Sequence, residues 1–225
     1  MLRPANIPRP RPFNTSAAIL RASQLLVTLM ASGLLAAMAL SQELKEVTPA
    51  GEAAILTNPG LEITGASRPD VTIVEYFDYN CPYCKRVVPT FKALLDTDKK
   101  LAIVYKDWPV LGASSVYAAR CAVAAGWQGK YFVAHDALIA GPRLSQNEQI
   151  ESILRSAGVD VDKLKNDLIA HSAEIDSLLA RNAAEAQALE LDGTPGILVG
   201  RQLMPGGADL EVFRKLIAAV RSEPK

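Results

Sequence analysis

Residues 71–91 read VTIVEYFDYNCPYCKRVVPTF, and this stretch limits the available folds more than any other. Its first seven residues are β-branched, aromatic or apolar except for Glu75, and they follow Pro69-Asp70, the pattern of a buried strand. From Pro82 onward Val87, Val88, Phe91, Leu94 and Leu95 recur at helical spacing. Pro89 falls inside that pattern and predicts a kink. Two cysteines, Cys81 and Cys84, stand at the junction with Pro82 and Tyr83 between them. Proline suits the first helical position, because the N–H it lacks would have no partner there. Cys81 therefore falls at the N-cap, where its sulfur can accept from the N–H groups of Tyr83 and Cys84. The positive end of the helix dipole lies at the same point. Both effects favour thiolate over thiol, and thiols so placed have pKa values of about 3.5–7.5 instead of about 8.5.

Residues three apart share a helix face, so the two cysteines can reach the roughly 5.5–6 Å Cα separation of a disulfide. Cys81, at the helix tip, is expected to be the more accessible, attacking thiol, and Cys84, one turn in, the covered, resolving one. A zinc site would call for four ligands, and Cys121, His135 and His171 form no second paired motif. A structural disulfide across three residues closes too small a loop to stabilise much. The spacing best supports a redox pair, with copper(I) held by two soft thiolates as the alternative.

The first 41 residues carry Arg3, Arg9, Arg11 and Arg21 and no acid, and end in the apolar run LLVTLMASGLLAAMAL from Leu25 to Leu40. Small residues follow, in the pattern of a secretory signal cleaved after Ala39 or Ser41. An uncleaved membrane anchor is the alternative. Without this segment 20 basic residues face 24 acidic ones, which gives no electrostatic case for nucleic acid. Three cysteines cannot build the disulfide framework of a small secreted scaffold. A lone close pair in an exported chain therefore points to chemistry.

Further along, a short helix or turn is expected near 50–56 and a short strand at 61–64. A second strand, LAIVYKDWP, covers 101–109. From Ser114 to about Leu191 the chain is rich in alanine and leucine, with helices expected at 114–126, 130–139, 147–157, 161–171 and 173–190. GILVG at 196–200 and RQLMPG after it return to strand, and 208–222 closes as an amphipathic helix. The helical block interrupts a small α/β unit and reads as an insertion.

VTIVEYFDYNCPYCK, followed after that block by GTPGILVG, resembles the DsbA-like branch of exported thiol–disulfide oxidoreductases over about residues 60–222. Thr194 lies 110 residues beyond Cys84, a much longer gap than in plain thioredoxins. The resemblance implies an α/β thioredoxin-like fold with an inserted all-helical domain. The organisation expected is a signal or anchor over 1–41, an extension over 42–69, thioredoxin-fold parts over 70–112 and 191–225, and the insertion over 113–190. The resemblance further implies that Cys81 and Cys84 are the catalytic pair, and that Pro195 is a cis-proline facing them. By the same likeness Thr194 offers backbone groups to an extended substrate, and Glu75 is a buried acid that relays a proton to or from Cys84. Expected partners are cysteine-containing exported proteins and a membrane partner that resets the pair in the bacterial periplasm. No cofactor is implied. Tyr83 stands where the strongest oxidants of the branch carry histidine, and it removes a possible cation from beside the thiolate. The N-terminal segment lacks heptads, so a monomer is expected. Cys121, His135 and Trp108 read as core or packing residues, His171 as an ordinary helix-end residue, and Lys85 and Arg86 as a solvated first turn.

Overall fold

The computed structural model describes residues 45–60 and 62–223. The expected signal or anchor over residues 1–41 lies outside them. Six strands form one mixed sheet in the order β1-β6-β5-β3-β4-β2. The strands are β1 (Lys45–Glu46), β2 (Glu62–Gly65), β3 (Val71–Phe77), β4 (Leu101–Asp107), β5 (Gly196–Val199) and β6 (Gln202–Pro205). The helices are α1 (Pro49–Leu56), α2 (Pro82–Thr97), α3 (Ala113–Ala125), α4 (Tyr131–Ala140), α5 (Asn147–Ser156), α6 (Val161–Ala170), α7 (Ser172–Ala188) and α8 (Leu210–Ser222). The central strand β3 is buried along most of its length, as its apolar run requires. It pairs in parallel with β4 and antiparallel with β5. The parallel pairing needs a crossover, which α2 supplies.

The sheet is covered on both faces. On one, Val74, Tyr76, Val104 and Leu198 pack with Ile55 of α1 and Ala186 of α7. On the other lie α2 and α8, whose Phe91 and Phe213 rings meet edge to face at 5.4 Å. Helices α3–α7 fall between β4 and β5 in the chain, and their core is continuous with Phe77, Tyr79, Cys81 and Cys84. The insertion thus shares its apolar interior with the cysteine pair.

Two features depart from the sequence reading. The segment before residue 70, expected as an extension, joins the sheet at both edges, since β1 pairs with β6 and β2 with β4. Two residues in β1 are too few to show any period. Strand β4 stops at Asp107, and Trp108 donates its N–H to the Phe77 carbonyl at 2.9 Å. Behind the sheet, the buried Lys106 ammonium meets Glu185 Oε2 at 2.9 Å and the Ile55 carbonyl at 3.2 Å. The Tyr76 hydroxyl donates to the same Glu185 oxygen, and the Asn58 amide donates to its other oxygen. This cluster ties α1, the sheet and α7 together.

Candidate active site

Strand β3 delivers the chain to a four-residue loop, 78–81, and Cys81 caps α2. The Cys84 N–H donates to the Cys81 sulfur at 3.4 Å, and Pro82 occupies the first turn. The Thr194–Pro195 peptide bond is cis. It brings the Thr194 carbonyl within 3.1 Å of the Cys81 sulfur, a contact to which the thiol donates. This loop covers much of the Cys81 side of the pair. Cys81 is 2% exposed and Cys84 1%, because the turn, distant in sequence, closes over the helix tip. Both cysteines are free thiols.

The two sulfurs differ in chemistry. Cys81 is pulled down to about 5, first by a hydrogen bond from the Cys84 thiol, against the cost of burial. The Thr194 side chain and the N–H groups of Cys84 and Tyr83 add to the lowering. Cys84 is pushed far up, first by burial, then by its hydrogen bond to Cys81 and the charge of Glu75. Paired titratable groups driven apart in this way separate into distinct roles. Glu75 lies on β3 below the pair, 3% exposed, with Oε1 lacking a hydrogen-bond partner. Burial, and secondarily the negative charge of Cys81, pushes its carboxyl up to about 8. Tyr83 is 57% exposed, and the Arg86 guanidinium lies 4.3 Å above its ring. A cation therefore stands at the rim despite the neutral residue between the cysteines.

Lys85 is not solvated. Its ammonium donates to the carbonyls of Leu138, Ile139 and Gly141 at 3.4, 3.0 and 2.8 Å. These carbonyls lie at the C-terminal end of α4, where a cation is favoured. Burial lowers the pKa of Lys85. Cys121 is fully buried in the helical core, and His135 sits among Phe77, Tyr79, Tyr105 and Tyr131. His171 stacks on Trp127, and Trp108 packs behind the sheet.

Sequence reasoning missed Asp78 and Asn80. The buried Asp78 carboxylate accepts from Asn80 N and the Ser115 hydroxyl, both at 2.7 Å, and from Val110 N at 2.8 Å and Leu111 N at 2.9 Å. Asn80 exchanges hydrogen bonds with both backbone groups of Leu144, at 2.7 and 3.1 Å, and donates to Ser114 and Ser115. The Asp78 carbonyl accepts the Cys81 N–H at 3.0 Å. Two polar residues crowded into an apolar approach to the cysteines were the available signal. Among the described residues no group of three or more His, Cys, Asp or Glu is placed to hold a metal ion.

The comparisons with known proteins agree with this geometry. The family model of the DSBA-like thioredoxin domain matches residues 72–218. The crystal structure of a thioredoxin-like oxidoreductase from Silicibacter pomeroyi is 34% identical, covers 79% of this chain and all of its own, and superposes with a TM-score of 0.73. A probable disulfide bond formation protein D from Bacillus cereus is 27% identical over 160 residues, 65% of this chain and 72% of that protein. A Na(+)/H(+) antiporter NhaA 1 from Salinispora arenicola is 27% identical over 162 residues, 71% of this chain. The match covers only 24% of that antiporter's length. From the matched span and the fold together, the chain belongs to the DsbA-like thioredoxin-domain family of thiol–disulfide oxidoreductases.

Proposed function

We propose that this protein exchanges disulfides with cysteine-containing exported proteins through a Cys81–Cys84 dithiol/disulfide, and that it acts as an oxidant or isomerase. The observation that carries the reading is the opposed tuning of the two sulfurs, Cys81 down to about 5 and Cys84 far up. Stabilising the Cys81 thiolate stabilises the reduced protein, which makes its disulfide a good acceptor of electrons.

In the oxidising direction a substrate thiolate attacks the Cys81 sulfur of the disulfide. Cys84 leaves with the bonding electron pair and takes a proton from the Glu75 carboxylic acid. A second substrate thiolate then attacks the substrate sulfur of the mixed disulfide and expels Cys81 as a thiolate. The substrate is oxidised, and the pair is reduced. Thr194 holds the extended substrate by its backbone as an added strand, beside the cis Pro195. The reverse sequence reduces a substrate disulfide, with Cys84 as the resolving thiol and Glu75 as its base. A membrane redox partner resets the pair in the periplasm, a location supported by the arginine-bearing start and apolar run of the first 41 residues.

The test is turnover of a disulfide-bonded protein by the purified chain without added metal. Cys81→Ala is expected to abolish the reaction, while Cys84→Ala traps the mixed disulfide. Full activity in Cys81→Ala would remove the proposal.

A further inference from the structure

We infer that Arg86, held over the ring of Tyr83, makes the protein favour substrates that carry a carboxylate beside their reacting cysteine. The inference rests on the exchange reaction proposed above and names the preferred substrate by its chemistry. It is an extended peptide with aspartate or glutamate within a few residues of its thiol.

Tyr83 lies between the two cysteines and is exposed. Arg86 follows it by three positions, so the two share a face of α2. Helical side chains lean toward the N-terminus. The guanidinium accordingly lies back over the Tyr83 ring, 4.3 Å from its centre. Tyr83 stands two residues, about 3 Å of helix rise, from Cys81 at the tip. The side chain of an outward-facing residue thus brings a cation to the rim of the reactive sulfur.

This cation is not spent inside the protein. The ring attracts it through its π face and leaves a fork of N–H donors that matches a carboxylate. The helical neighbours of Arg86 are Pro82, Tyr83, Pro89 and Thr90, and none is an acid. Among the described residues no ion pair includes Arg86. Lys85 differs, since its ammonium is engaged by the carbonyls at the end of α4. The exposed Arg143 belongs to the segment that Lys85 holds at Gly141 and Asn80 holds at Leu144. It adds a second positive charge on the side of the insertion. Glu75 and Asp78 are buried beneath the pair. The exposed Asp192 belongs to the other wall-forming segment, two residues before Thr194. Positive charge therefore marks α2 and the insertion, and negative charge the start of the cis-proline turn.

A substrate whose cysteine bonds to Cys81 must pass over this rim. An extended chain advances about 3.3 Å per residue, so its side chains nearest the cysteine meet Tyr83 and Arg86. A carboxylate there accepts from the guanidinium fork, and the ring keeps the fork in place. The exchange step itself is unaltered. Arg86 touches no reacting atom and sets specificity by holding the substrate.

The test uses capped peptides with one cysteine, identical except for aspartate, asparagine or lysine placed two residues before or two residues after it. Each peptide's rate of reducing the Cys81–Cys84 disulfide of the full chain is followed by quenched alkylation. It is divided by the same peptide's rate with dipyridyl disulfide, a neutral reagent, which removes differences in intrinsic thiol reactivity. In the parent, aspartate is expected to outpace asparagine about threefold in at least one of the two positions, the scale of one exposed ion pair. Lysine should be slower than both, and high salt should erase the differences. Arg86→Gln should bring the aspartate-to-asparagine ratio to about one. Tyr83→Leu, which removes the ring under the cation, is the second variant and should lower the same ratio if the glutamine protein does not fold. A parent ratio of one in both positions would overturn the inference while leaving the exchange reaction standing. So would a ratio that survives Arg86→Gln, including the case in which all peptides slow equally. A parent whose pair does not cycle would overturn both.

Discussion

At the scale of single residues, the site works by dividing one turn of helix into two unlike thiols. Cys81 gathers donors from Cys84, the Thr194 side chain and two backbone N–H groups, whereas Cys84 lies under it beside a buried acid. Iodoacetamide is therefore expected to modify Cys81 with a midpoint near its lowered pKa of about 5, and to leave Cys84 unmodified in the folded protein. Thr194→Val removes one donor and is expected to raise the Cys81 midpoint by about half to one pH unit. The two ionisations have opposite effects on stability. The folded pKa of Cys81 is depressed, so its contribution to the reduced protein grows as pH rises from about 5 toward the ordinary thiol value of 9.0. Glu75 is raised from 4.5 to about 8, so stability falls as pH rises through that window. Glu75→Gln is expected to remove the fall and stabilise the protein above pH 8 by up to about 5 kcal/mol, while slowing exchange. Thermal unfolding at several pH values checks both signs. The strand, the cysteine spacing and the capping position were legible because they are local. The meeting of Cys81 with Thr194, 113 positions on, is not local and came only through the resemblance.

At the scale of elements, the active-site loop is held from the side of the helical insertion. Asp78 and Asn80 fix the loop to the starts of α3 and of the 144 segment, and Lys85 fixes α2 to the end of α4. Asn80→Ala leaves the buried Leu144 N–H without a partner and its carbonyl with the Ser114 hydroxyl alone. It is expected to lower stability by about 2–3 kcal/mol in urea unfolding, with a matching loss of the Cys81 thiolate. Lys85→Met keeps the side chain's bulk but uncovers the α4 carbonyls. It is expected to cost about 1–2 kcal/mol and to speed amide exchange at the end of α4. Helical periodicity located each of these elements to within a residue or two. It could not report that the lysine after the second cysteine is a cap, since its acceptors lie more than 50 positions away.

At the scale of the molecule, one sheet and one helical insertion share a core that contains the cysteines, so the site lies where the two meet and depends on both. The buried Lys106–Glu185 pair locks the opposite face, joining α1, β4 and α7. Lys106→Ala would leave Glu185 without its cation, and is expected to cost about 3–5 kcal/mol in equilibrium unfolding. The alternation of strands around a long helical block made the architecture legible. The edge strand β1 was not, because it is two residues long and gains its order from β6. The account as a whole rests on a stabilised reduced state. Its most direct test is the reduction potential of the Cys81–Cys84 pair, equilibrated in glutathione buffers and quenched by alkylation. The account predicts a single two-electron couple between about −120 and −200 mV. A value below about −250 mV, the range of reductants, or a pair that does not cycle, would contradict it.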